Sequence, residues 1–170
     1  MSEHLNPVPF VLQRYIPYPK EIVFRAWTDK DALDAWFGPK GFKIRKSTLE
    51  LRPGGTYHYG LQAPNGEEMW GKWTFRDIVP GERLVFISSF SNAEGGATRH
   101  TMAPVWPLET LSTILFSDDN GGTTLSMHAI PLNATAEEIA VFESASAGMN
   151  AGWTGTLEKL ETALADGDIQ

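Results

Sequence analysis

The sequence predicts an α+β protein: a curved, seven-stranded antiparallel sheet around a long C-terminal helix, with two short helices after the first strand. Three observations carry this reading. Ile139, Phe142, Ser146, Met149, Trp153, Leu157, Leu160 and Leu164 recur at spacings of three and four, which puts them on one face of a helix starting near Thr135. Between residues 42 and 132, short β-favouring runs alternate with turn sequences, so consecutive strands pair antiparallel. The order is one strand, two short helices, six strands and a long terminal helix, segregated rather than alternating, and a lone long helix must bury its apolar stripe on the sheet.

Taken in order, residues 8–16 read as the first strand, ended by Pro17-Tyr18-Pro19. Pro19 suits the first position of a helix with Glu21 in its opening turn and Ile22, Val23, Phe24 and Trp27 as apolar positions. Thr28 is expected to cap a second short helix through Ala32, Leu33 and Trp36, which Gly38-Pro39 stops. Strands are expected over residues 42–51, 56–63, 69–79, 84–90, 108–117 and 123–132. Pro53-Gly54-Gly55, Pro64-Asn65-Gly66, Pro80-Gly81 and Asn120-Gly121-Gly122 are the turns between them.

Alternation assigns Met69, Gly71, Trp73 and Phe75 to one face of their strand, and Tyr57, Tyr59 and Leu61 to the same face of the neighbouring one. For residues 108–117 both faces hold apolar side chains, so parity leaves the choice open. The connection 91–107 is long for a compact domain, and such loops are more often functional than idle. Its Gly95 and Gly96 read as hinges of a lid that stiffens at Pro104 and Pro107. Thr135 with Glu138 three residues on forms a capping box at the start of the long helix.

The 170 residues fit one domain, spanning 1–170 with its core at about 10–165. There is no cysteine, and the segment from Met1 to Val11 has neither a basic stretch nor an apolar run of signal-peptide length, so a cytoplasmic protein is expected. The Asn133-Ala134-Thr135 sequon is then silent. A net charge of -7 without any Lys/Arg run opposes binding to nucleic acid or to acidic membranes, and no apolar stretch is long enough to span a bilayer. His4, His58, His100 and His128 are isolated, so no metal is expected. No nucleophile elbow or phosphate-cradling loop is present, and no cofactor is expected. His58 and His128 fall at outward-facing positions and read as surface residues.

A set of ordered motifs is familiar: Ile22-Val23-Phe24-Arg25-Ala26-Trp27-Thr28, Trp36-Phe37-Gly38-Pro39, Leu51-Arg52-Pro53-Gly54-Gly55, Glu82-Arg83-Leu84-Val85-Phe86, and Gly152-Trp153 with Leu157 and Leu160. Together they resemble the activator of heat-shock protein 90 ATPase-like domain, in the START-like, birch-pollen-allergen-like (SRPBCC) superfamily. The resemblance covers about residues 10–165 and implies the helix-grip fold. Arg99-His100-Thr101-Met102, with Pro104 and Trp106-Pro107, resembles a bacterial branch in which Arg-His and Trp-Pro pairs mark this connection. In the co-chaperone that names the family, a separate chaperone-stimulating domain precedes this one. The present chain is expected to lack it, so a chaperone partner is not carried over by the resemblance.

The long helix contains Gly148, Gly152 and Gly155, each costing about 1 kcal/mol relative to Ala. Either the backbone packs closely on the sheet there, or the missing side chains leave room for a ligand beside Met149 and Trp153. Six Trp, nine Phe and four Tyr exceed what a plain core of this size requires. The residues expected around a cavity are Trp36, Phe37, Tyr57, Tyr59, Trp73, Phe90, Met127, Met149 and Trp153, with His100 reaching it from the long connection. Trp27 and Leu160 read as core.

The leading function is binding of a small hydrophobic or aromatic molecule between helix and sheet, oriented by His100, Arg99 or a tyrosine hydroxyl. An enzyme of the cyclase or aromatase kind, implied by the superfamily, is the alternative, with His100 or a cavity tyrosine moving protons. A stress-related co-chaperone or other protein-interaction module is the third. Catalytic residues, if any, are not identified by the sequence, and a homodimer is left open.

Overall fold

The computed structural model describes residues 7–100 and 103–169; His4, Thr101 and Met102 lie outside them. In chain order the elements are β1 (Phe10–Ile16), α1 (Lys20–Thr28), α2 (Lys30–Trp36), β2 (Lys43–Leu49), β3 (Thr56–Gln62), β4 (Glu68–Val79), β5 (Arg83–Ser91), β6 (Ala97–Thr98), β7 (Glu109–Asp119), β8 (Gly122–Leu132), α3 (Ala136–Ser144) and α4 (Ser146–Ala165). The strands form one curved antiparallel sheet in the order β1-β8-β7-β5-β4-β3-β2, with the two-residue β6 added beside β5. Bulges between Ile44 and Lys46 and between Phe75 and Asp77 bend their strands. The architecture is the expected α+β helix grip, with β6 as a strand beyond the seven read from sequence.

Parity holds where it was decisive. Tyr57, Tyr59 and Leu61 are buried, as are Gly71, Trp73 and Phe75 of the adjacent strand. Where it was ambiguous, Ile114 and Phe116 turn inward against Met127 and Leu125, leaving Leu115 outside. On the outer face His58 stacks on Trp70, with ring centroids 5.0 Å apart, and its ring also meets the Asn92 carbonyl at 3.1 Å. His128 is exposed.

Local expectations are corrected in three places: the starts of the two short helices, the C-terminal helix and the long connection. Asp29, not Thr28, caps α2: its carboxylate accepts from the Ala32 amide at 3.0 Å, while the Thr28 hydroxyl donates back to the Phe24 carbonyl and keeps Thr28 in α1. Pro19 likewise is the residue before α1 rather than its first member. The C-terminal helix begins at Thr135 with the expected capping box but breaks at Ala145, whose φ of -91° and ψ of 5° separate α3 from α4. The break swings Ser146 out to solvent, whereas Phe142 before it and Leu157, Leu160 and Leu164 after it stay buried.

The third correction concerns the long connection. Gly95 adopts φ +92° in a turn whose Asn92 amide donates to the Gly96 carbonyl, and the Asn92 side-chain oxygen accepts from the amides of Glu94 and Gly96. Gly95-Gly96 therefore shape the hairpin that joins β5 to β6 and are not hinges. Beyond β6 the Arg99 guanidinium donates to the Trp106 carbonyl at 2.9 Å and to Glu138 of α3 at 2.6 Å. The Trp106 ring meets Phe142, with centroids 5.5 Å apart.

The core is organised by a run of parallel rings. Trp153 of α4 stacks on Trp27 of α1 at 6.0 Å and 17°, Trp27 on Trp73 of β4 at 5.9 Å and 25°, and Trp73 on Phe86 of β5 at 4.1 Å and 15°. The Trp27 indole N–H is buried with no acceptor among the described residues, so burial of its rings must outweigh an unmade hydrogen bond.

Three measurements test this account. Trp73→Ala removes a fully buried ring from the middle of the stack and should lower stability by about 3 to 5 kcal/mol in chemical denaturation. Thr135→Ala removes the cap of α3 and should cost about 1 kcal/mol. The Glu138 carboxyl is held below its ordinary 4.5, first by the Thr135 amide and also by Arg99, against the opposing effect of burial. Since folding favours its ionised form, its contribution is complete above pH 4.5 and lost as pH falls through the lowered folded value. The denaturation midpoint of the wild type should therefore exceed that of Glu138→Gln at pH 7, with the gap closing in acid.

Candidate ligand-binding site

Between α4 and the inner face of the sheet lies a cavity of about 580 Å³. The segment after α2 contributes Phe37, Gly38 and Pro39, and the sheet contributes Tyr59, Leu61, Met69 and Phe90. Across from them stand Met149, Gly152, Trp153 and Thr156 of α4, with His100 and Ala103 from the connection.

Each part is held by identifiable interactions. Gly38 adopts φ +110°, and a Cβ there would stand 2.6 Å from a Leu61 methyl, so the tight turn after α2 needs glycine. Its carbonyl accepts from the Thr156 hydroxyl and from the Lys159 ammonium, both at 3.1 Å, and Lys159 donates also to the carbonyls of Pro39 and Phe42 at 3.2 Å. Partial burial lowers the Lys159 pKa, and the three carbonyl oxygens replace the water it has lost. One cation thus fastens the 38–42 turn to α4. Across the sheet, Tyr59 lies over Gly71, where a Cβ would come within 2.5 Å of its hydroxyl.

Phe37, Tyr59, Phe90, His100, Met149 and Trp153, all named from sequence, are brought together in this wall. Trp36, Tyr57, Trp73 and Met127 are not: they lie one layer deeper in the core. The Trp36 indole N–H donates to the Ala26 carbonyl at 2.8 Å. The Tyr57 hydroxyl donates to Asp34 at 3.0 Å, and Ser47 donates to the same carboxylate. Burial and the Asp34 charge push the Tyr57 pKa well up. Trp73 sits within the ring stack, and Met127 pairs with Ile114 beneath it. Arg99, expected as a polar guide, is engaged by Glu138 and Trp106 and does not line the cavity.

Sequence reasoning missed Gly38, Pro39, Leu61, Met69, Ala103 and Thr156 as lining residues. Leu61 and Met69 carried a usable signal, since they share the inward parity of Tyr59 and Gly71. Of the three helix glycines, Gly152 alone lines the cavity. A Cβ on Gly152 would meet nothing within 4 Å, and its missing side chain enlarges the cavity; Gly148 also faces open space, and Gly155 seats the Lys40 methylenes at 3.5 Å. None of the three packs on the sheet.

Among the described residues, no Asp, Glu, Lys or Arg lines the cavity. Burial pushes the Tyr59 hydroxyl pKa upward, so near neutral pH it stays protonated and can donate a hydrogen bond but cannot act as a base. Such a site encloses an apolar body and offers it neutral polar contacts.

The solved structures it resembles share this architecture. A Nitrosomonas europaea protein matches with a TM-score of 0.74 at 24% identity, over 94% of this chain and 95% of that one. An Arthrobacter aurescens protein matches with a TM-score of 0.77 at 20% identity, over 97% and 90%. A Silicibacter pomeroyi protein named AHSA1 matches with a TM-score of 0.69 at 18% identity, over 93% and 98%. At these identities the likeness establishes the fold alone. A comparison with curated proteins gives no match. A family profile matches residues 17–165 of the 170, and by it the chain belongs to the family described as Activator of Hsp90 ATPase homolog 1-like protein.

Proposed function

We propose that this protein binds a small, uncharged hydrophobic or aromatic molecule in the cavity between α4 and the sheet. The observation that carries the reading is a space of about 580 Å³ with aromatic and aliphatic walls and no ionic side chain. Affinity would come from apolar burial at roughly 25 cal/mol per Å², less the cost of association. Phe37, Tyr59, Phe90, Met149 and Trp153 would supply the walls, and His100 would offer a polar contact at the side formed by the connection. Among the described residues, no helix is long and apolar enough to cross a membrane. A cytoplasmic setting belongs to the same proposal, supported by the absence of cysteine.

A cyclase- or aromatase-like activity is the second reading, supported by His100 in the wall beside Phe90, with ring centroids 5.0 Å apart. With Tyr59 held protonated and Tyr57 outside the cavity, His100 is the proton carrier such a reaction would use.

Titration with naphthalene and with fatty alcohols, followed by calorimetry and tryptophan fluorescence, tests the binding reading. His100→Ala should weaken binding of polar-tagged ligands while changing stability little, since it lies on a connection rather than in the core. Gly152 offers a sharper check. Gly148→Ala and Gly152→Ala should each raise stability by up to about 1 kcal/mol, because both sites have open space for a methyl group. Gly152→Leu should keep much of that gain yet abolish naphthalene binding by filling the cavity, a loss that Gly148→Leu should not reproduce.

A further inference from the structure

A second, smaller pocket of about 130 Å³ adjoins the cavity, sharing Tyr59 and Phe90 with it and roofed by Trp106 and Pro107. Its character differs from that of the larger space. Ser88 of β5 and Thr110 of β7 are direct cross-strand partners, and both line it. Phe86 and Phe90 flank Ser88 on the inward face of β5, and on the inward face of β7 Thr110 is followed by Ser112 and Ile114; of these hydroxyls only those of Ser88 and Thr110 belong to residues lining the pocket. Thr110 is buried, and neither hydroxyl makes a hydrogen bond within the described part of the chain. Both hydroxyls open onto the pocket rather than being sealed in the core, Ser88 being half-buried, so water or a guest in that space can supply their missing partner. The pocket lining holds no charged side chain.

We propose that this pocket is the seat for one uncharged polar group, a hydroxyl or a carbonyl, at the end of a guest whose apolar body fills the larger cavity. The proposal rests on the binding reading above and narrows it to amphipathic, neutral molecules that enter polar end first. Ser88 and Thr110 can each both donate and accept, so they suit either a hydroxyl or a carbonyl, and the protonated Tyr59 hydroxyl adds a neutral polar neighbour. An ionic head group is disfavoured, because nothing in the lining would compensate its lost hydration. The connection has a part in this arrangement. Arg99 holds the Trp106 carbonyl to α3 through Glu138, and so fixes the roof over the pair of hydroxyls.

Calorimetric titration with two probes that differ by a single hydroxyl, naphthalene and 2-naphthol, tests the proposal. In a purely apolar cavity the hydroxyl loses its hydration for nothing, and naphthalene binds as well or better. With a polar seat, 2-naphthol should bind about ten-fold tighter to the wild type, the equivalent of one good neutral hydrogen bond. In Thr110→Val and Ser88→Ala the ratio should fall toward one or below, and far-UV circular dichroism confirms that each variant is folded. Thr110→Val keeps the shape of the side chain, so a lost preference reports the hydroxyl rather than the packing. Naphthalene binding equal to or tighter than 2-naphthol in the wild type overturns the polar seat while leaving the cavity reading intact. A preference that survives both substitutions overturns the assignment to Ser88 and Thr110. Failure of both probes to bind removes the cavity reading and this proposal together.

Discussion

The stack of rings running from Trp153 through Trp27 and Trp73 to Phe86 is the interaction on which the other parts depend. It crosses α4, α1, β4 and β5, elements far apart in sequence, and sets how closely the helices can approach the sheet. Large flat rings hold a spacing that flexible aliphatic side chains would let collapse. The Phe37 ring meets Trp73 edge-on at 4.9 Å and Tyr59 at 5.0 Å, so it lies against the side of the stack and begins the cavity wall. Core and cavity are thus successive layers of one aromatic assembly, the inner filled and the outer not.

That layering explains what could be read from sequence and what could not. Strand alternation reports which face of the sheet a side chain occupies, and it placed Tyr57, Tyr59 and Trp73 correctly on the inner one. It carries no information on depth, because that is decided by residues arriving from elsewhere in the chain. Tyr57 and Tyr59 look equivalent in the sequence, yet Asp34 of α2 and Ser47 of β2 enclose the first while the second remains at the open layer. Trp36 and Phe37 are adjacent and diverge for a similar reason: α2 ends between them, so one ring turns into the core and the other into the cavity. The break at Ala145 escaped notice because no glycine or proline marks it and the apolar periodicity carries straight across.

The charged groups show a complementary division. Arg14–Glu161, Lys40–Glu158 and Arg99–Glu138 fasten elements together around the outside of the grip. Surface pairs of this kind contribute little to stability individually, and their use here is geometric. Lys159 is the exception in kind, since its partners are three carbonyl oxygens with no carboxylate among them. It can therefore stand close to the cavity and organise the 38–42 turn without placing a carboxylate there.

Two rungs of the β3–β4 ladder lie side by side in which an aromatic ring rests on a cross-strand glycine, Tyr59 on Gly71 inside and Trp70 on Gly60 outside. A slip of two residues would preserve the faces but set ring against ring, so the pairs act as a key for strand register. They also restrict how this protein can evolve. Any side chain at position 71 must displace Tyr59, and any at position 60 must displace Trp70, so the sheet side of the cavity tolerates little drift. Met69 and Met149, unbranched and able to repack, face the same space with no comparable restraint. Under the proposed binding role, relatives that take a different guest would differ first at the positions of Met69 and Met149, while those of Gly60 and Gly71 stay fixed.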